Sequence, residues 1–172
     1  MNWISSRGGS PPVKFIDALF AGTAPDGGLY MPERIDPLPA EALQRVQGAD
    51  IVTVATVVGA HLLRGEITEA ALEPLVRDAL DFPVPLVSVS DRVSALELFH
   101  GPTLAFKDVG ARVQARLLHH FTDGTPLTIL VATSGDTGSA VAQAFHRVPD
   151  TRVVVLYPAG KVSDVQEAQM AS

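Results

Sequence analysis

The stretch Thr128-Ile129-Leu130-Val131-Ala132-Thr133, followed at once by Ser134-Gly135-Asp136-Thr137-Gly138, decides the fold class of this chain. A mostly apolar, β-rich run stopped by a glycine-rich loop reads as a strand delivering the chain into a turn. Behind the loop, Val141, Ala144, Phe145 and Val148 recur at helical spacing, and Arg152 to Tyr157 is a second apolar strand. Upstream, Ser94 to Phe99 reads as a short strand ending in His100-Gly101-Pro102. Phe106, Val109, Gly110, Val113 and Leu117 then fall on one helical face. Apolar strands separated by amphipathic helices predict an α/β unit with a parallel sheet covered on both faces.

The first half differs in character. Ile51, Val54, Val58 and Leu62 repeat at helical spacing behind Asp50, a good N-cap. A second helix is expected from Thr68, burying Leu72, Leu75, Val76 and Ala79. Asp81-Phe82-Pro83-Val84-Pro85 cannot continue a helix, because two prolines remove donors and clash with the preceding turn. This places a boundary between a helical N-terminal domain, 1–83, and a partial α/β domain, 84–172. Near the end, Ser163 and Gln166 have the spacing of a capping box, so a helix is expected from Asp164. A parallel sheet with so few strands has a bare edge, and we read the chain as truncated, with exposed edges inviting self-association.

Composition bounds the partners. Hydrophobic residues make up 47% and charged residues 19%, which predicts a packed globular protein. The formal charge of −6 argues against a nucleic-acid partner, which needs clustered Lys and Arg. No run is long and apolar enough for a membrane span, and the N-terminus lacks a signal-peptide pattern, so the cytoplasm is the expected location. With no cysteine, thiol catalysis and thiolate metal sites are excluded. His119, His120 and Asp123 suggest a metal site only superficially, because adjacent helical histidines point about 100° apart.

Two stretches carry chemistry. In Glu97-Leu98-Phe99-His100-Gly101-Pro102-Thr103-Leu104-Ala105-Phe106-Lys107-Asp108, a lysine stands in the first turn of a helix. The helix dipole and the apolar neighbours Leu104 and Phe106 oppose an ammonium there, which suits an amine nucleophile; Asp108 pulls the other way. The plainer reading is a surface lysine paired with Asp108. In Thr133 to Ala140, hydroxyls and backbone amides gather at a helix N-terminus after a parallel strand, a place where anions bind. The plainer reading is a tight turn with Asp136 or Thr137 capping the helix.

The segment Leu98 to Asp108 resembles the cofactor-lysine motif of threonine synthases. Ser6-Arg7-Gly8 with Ala24-Pro25-Asp26-Gly27-Gly28-Leu29-Tyr30 resembles that family's N-terminal signature. Ser134 to Ala140, and Tyr157-Pro158 with Gly160-Lys161, match its pattern too. The resemblance covers almost the whole chain but well under half of a typical member. It implies pyridoxal 5′-phosphate (PLP) fold type II, two α/β domains with the cofactor between them. It also implies conversion of O-phospho-L-homoserine and water to L-threonine and phosphate. Lys107 aligns with the catalytic lysine that holds PLP and then moves protons. Ser134, Gly135 and Thr137 align with the segment receiving the substrate carboxylate. Asp136 falls where many relatives carry an asparagine facing the pyridine 3′-oxygen. The phosphate-binding glycine loop of the family has no candidate here, so the chain alone is expected to be inactive and to bind PLP weakly or not at all. Another PLP enzyme of the same fold type, such as a β-replacing synthase or a hydroxyamino-acid dehydratase, is the second reading. A non-catalytic module built from the front of the fold is the third.

Overall fold

A computed structural model of the chain describes residues 1–171 and divides into two compact units, Met1–Arg77 and Asp78–Ser172. The first unit begins with β1 (Trp3–Ser5), α1 (Phe15–Ala21) and β2 (Tyr30–Pro32). β1 and β2 pair antiparallel, Ile4 opposite Met31, so this unit carries a small sheet that helical patterning alone did not predict. Strands of three residues are too short to show a period of two. Next come α2 (Ala40–Val46), α3 (Ile51–Leu62) and α4 (Glu69–Ala79), whose last residues, Asp78 and Ala79, belong to the second unit. Asp50 caps α3 as the sequence predicts, accepting from the Thr53 amide at 2.7 Å. Thr68 accepts from the Ala71 amide at the start of α4. Leu72 is 2% exposed and lies so close to Gly59 that a side chain on that glycine would meet it.

The second unit continues with β3 (Leu86–Ser90), β4 (Val93–Leu96), α5 (Lys107–Phe121), β5 (Leu127–Ala132), α6 (Asp136–Phe145), β6 (Thr151–Leu156) and α7 (Asp164–Ala171). The capping box forms: the Gln166 amide donates to Ser163 Oγ at 3.3 Å, and the Ser163 amide to Gln166 Oε1 at 3.2 Å. β5 and β6 pair parallel, Ile129 opposite Val153. Three expectations need correction. The strand expected at Ser94 to Phe99 is β4, and it pairs antiparallel with β3 across the Asp91-Arg92 turn instead of joining a parallel series. The parallel pair is covered on one face only, since Leu130 and Leu156 are 66% and 54% exposed. The buried face of α5 is only partly the expected one: Leu117 is buried and Phe106 is exposed, while Asp108, Ala111, Arg112, Ala115 and Leu118 are also buried.

Arg112 explains how a charge sits on that face. Its Nε donates to the Ala79 carbonyl at 2.6 Å, and Nη2 to the Asp78 carbonyl and the Asp81 carboxylate at 2.8 and 2.7 Å. It thus caps the last turn of α4, whose carbonyls lack helical partners. Nη1 reaches Gln143 on α6 at 3.3 Å. Arg116 repeats the arrangement, donating to Asp78 and to the Ala144 carbonyl, both at 2.7 Å. With the buried alanines of α5 and α6, these two arginines seat the helices that carry both chemical motifs.

Candidate active site

Lys107 is the first residue of α5 and is half-buried. The ten residues between β4 and α5 form a loop whose hydrogen bonds converge on its end. The Leu104 amide donates to the Gly101 carbonyl at 3.0 Å, closing a turn. Leu104 has φ +57°, a left-handed conformation that costs a branched residue about 1–2 kcal/mol. The next carboxylate, Asp108, accepts from the Thr103 amide at 2.9 Å and from its hydroxyl at 2.6 Å. Asp108 is wholly buried, so the surface Lys107–Asp108 pair considered from the sequence does not form.

The expected apolar enclosure of the ammonium is also absent among the described residues. Leu104 and Phe106 are 73% and 61% exposed, and Phe99 is 51% exposed. Lys107 Nζ lies 4.4 Å from the centroid of the Phe106 ring, a cation–π contact. His100 pairs with Glu97, with Nε2 2.7 Å from Oε2, and its ring leans on Phe99.

The loop at the head of α6 is built differently. Thr133 Oγ1 accepts from the Gly135 and Gly138 amides at 3.1 and 3.2 Å, folding the loop back on the end of β5. A side chain on Gly138 would meet Thr133 and Met170, and one on Gly135 the end of the Gln166 side chain. Ser134, Asp136 and Thr137 are exposed, and their amides make no hydrogen bond among the described residues. That leaves donors and the positive end of α6 open to an anion. Asp136 does not cap the helix; its Oδ1 accepts from Gln166 Nε2 at 2.8 Å. No hydrogen bond joins Lys107 to this loop among the described residues. Sequence reasoning gave Gln166 only its part in the capping box, and left Thr133 and the Thr103–Asp108 pair without roles. Only the spacing of hydroxyl and carboxylate around Lys107 could have signalled the last.

The comparisons with known proteins point to one family. The family described as threonine synthase N terminus matches residues 2–80. The threonine synthase of Escherichia coli is 43% identical over 155 residues, covering 90% of this chain and 36% of that protein. That of Haemophilus influenzae is 41% identical, covering 97% and 39%. The crystal structure of PLP-bound threonine synthase from Brucella melitensis superposes with a TM-score of 0.90 at 43% identity, covering 99% of this chain and 38% of that one. The chain therefore spans well under half the length of the relatives it matches. Its fold is the mixed α/β fold of those structures, with a lysine and a hydroxyl-rich loop each opening a helix. The chain belongs to the threonine synthase family, and what it matches is the N-terminal part of those proteins.

Proposed function

We propose that this chain carries the lysine-bearing part of a PLP-dependent threonine synthase, the lyase that turns O-phospho-L-homoserine and water into L-threonine and phosphate. The observation that carries the reading is Lys107, presented at the head of α5 by a strained, fully bonded turn. Its residues suit the cofactor: an accessible amine stands among the exposed apolar side chains Phe99, Leu104 and Phe106, against which a planar aromatic group can lie. PLP bound there would act as the electron sink for charge developing on substrate carbon. Lys107 would hold it covalently and then carry protons. The open amides of Ser134, Asp136 and Thr137 would receive the substrate carboxylate, and the Asp136 carboxylate would share a proton with the oxygen of the pyridine ring it faces.

The glycine-rich phosphate loop of the family has no counterpart in these residues, so the isolated chain is expected to release no phosphate from the substrate. The decisive experiment joins it to the portion of the Escherichia coli relative beyond the match and measures phosphate release from O-phospho-L-homoserine. Release that Lys107→Ala abolishes supports the reading. Ammonia release from threonine, in place of phosphate release, would favour a dehydratase. The apolar residues exposed on β3 and β4, Leu86, Val89, Val93 and Leu96, support self-association of the isolated chain; a sharp monomer on size exclusion would overturn that.

A further inference from the structure

Asp108 is wholly buried, yet no cation pairs with it among the described residues. Both of its oxygens are satisfied by one residue, Thr103. A buried carboxylate without a cation is costly to keep, so what its two bonds hold calls for a reason beyond packing. They hold the turn that delivers Lys107. Leu104 follows Thr103 at positive φ, and its own side chain is 73% exposed, so no packing of Leu104 keeps it strained. Gly101 is seated directly on the carboxylate: a Cβ there would lie 2.5 Å from Asp108 Oδ2 and 2.7 Å from its Cβ. The far end of the turn is tied to the same residue, because the Asp108 amide donates to the Ala105 carbonyl at 3.1 Å.

We propose that Asp108 and Thr103 form a clamp that fixes the direction in which Lys107 presents its amine, which makes Asp108 a positioning residue for the chemistry of that lysine. This deepens the reading of Lys107 as the amine that takes a carbonyl cofactor, and rests on it for its purpose. Asp108 acts through the backbone: releasing Thr103 lets Leu104 leave its left-handed conformation, and the first turn of α5 then offers the lysine in several directions.

The chain contains three lysines, Lys14, Lys107 and Lys161. Competitive trace acetylation, resolved by peptide mass spectrometry, therefore reads Lys107 against two internal references with no cofactor present. Asp108→Ala and Thr103→Val should each change the ratio of Lys107 to Lys14 labelling by about threefold or more, as expected for residues in direct contact. The double variant should add little to the stronger single one, and Thr103→Ser should restore the ratio. Unchanged ratios and unchanged pH profiles in variants that keep their circular dichroism would overturn the clamp and leave Asp108 a merely structural group. Should Asp108→Ala fail to fold, Thr103→Val decides, because it removes only the hydroxyl and keeps the amide bond. Borohydride trapping of PLP on the unaltered chain separates the two readings. Adducts confined to Lys14 or Lys161, with a responsive Lys107 ratio, would sink the cofactor reading alone. An adduct at Lys107 with unresponsive ratios would sink the clamp alone.

Discussion

Two aspartates in this molecule do the same local chemistry in opposite surroundings. Asp26 of the first unit accepts from Ser5 Oγ and the Gly9 amide at 2.7 Å and from the Gly28 amide at 2.9 Å. Asp108 of the second unit accepts from an amide and a hydroxyl of Thr103. Asp26 gathers two groups 21 and 17 residues away, besides one two residues on, and stays near solvent, so its carboxylate fastens β1 to the turn before β2. Asp108 gathers a group five residues away and is sealed from water, so its carboxylate shapes one turn. The difference teaches where rigidity goes: in one case into closing a small sheet, in the other into aiming a side chain.

The largest expected effect tests how tightly each carboxylate is seated. Gly101→Ala should destabilise by about 3 kcal/mol, because the new methyl meets the backbone-anchored Cβ of Asp108 as well as its oxygen. Gly28→Ala should cost less, about 2 kcal/mol, since its closest neighbours are the rotatable Ser5 hydroxyl and Asp26 Oδ1, with the Arg7 backbone nitrogen farther off at 3.1 Å. Urea melts of the two variants check the order, and a reversed order would break the contrast between a sealed and an open carboxylate. Next, Thr103→Val should cost about 1.5 kcal/mol by leaving one oxygen of Asp108 without a donor in the interior. A cost near zero would mean that water reaches Asp108.

A third test uses acid. Hydrogen bonds, first that from Ser5 and then that from Gly28, hold the Asp26 carboxyl below the ordinary carboxylate range, against a smaller opposing effect of desolvation. A depressed value in the folded state means that this contribution to stability is present above the unfolded value, about 4. It is then lost as pH falls through the lower folded value. Asp26→Asn should therefore flatten the decline of stability below about pH 4. A wild-type slope in the variant would show that Asp26 is not the group being titrated.

What the sequence disclosed follows from what local patterns can encode. Asp50 before α3, the Ser163–Gln166 box before α7 and the apolar runs of β5 and β6 were legible, because each is set by neighbours within about one turn or one strand. The β3–β4 hairpin was not, since its nine residues are exposed and obey no burial alternation. The buried face of α5 was legible at Leu117 and misread elsewhere for a sharper reason. Asp108 and Arg112 enter the interior because distant carbonyls, a hydroxyl and an amide satisfy them, and partners brought by folding leave no periodic trace. Lys107 was singled out by the resemblance of its segment to a family motif, whereas the clamp beside it was not read at all.

Asp136 should give the smallest effect, and it sharpens the comparison from outside. It is a third aspartate, exposed as the first residue of α6, and among the described residues its carboxylate has one partner, Gln166. An asparagine there still accepts from Gln166 and loses only the favourable interaction of charge with the helix end. Asp136→Asn should therefore change the stability of the chain by about 0.5 kcal/mol. The fold of its loop is carried by Thr133 Oγ1, which accepts from the Gly135 and Gly138 amides, so Thr133→Val should cost roughly twice as much. If Asp136→Asn proves the more damaging of the two, the carboxylate is a clamp like Asp108. In that case it would be held by the fold and could not turn to a ligand. If it is nearly silent in stability yet alters the absorption spectrum of bound PLP and its pH dependence in the joined enzyme, then it faces the cofactor, as an exposed carboxylate is free to do.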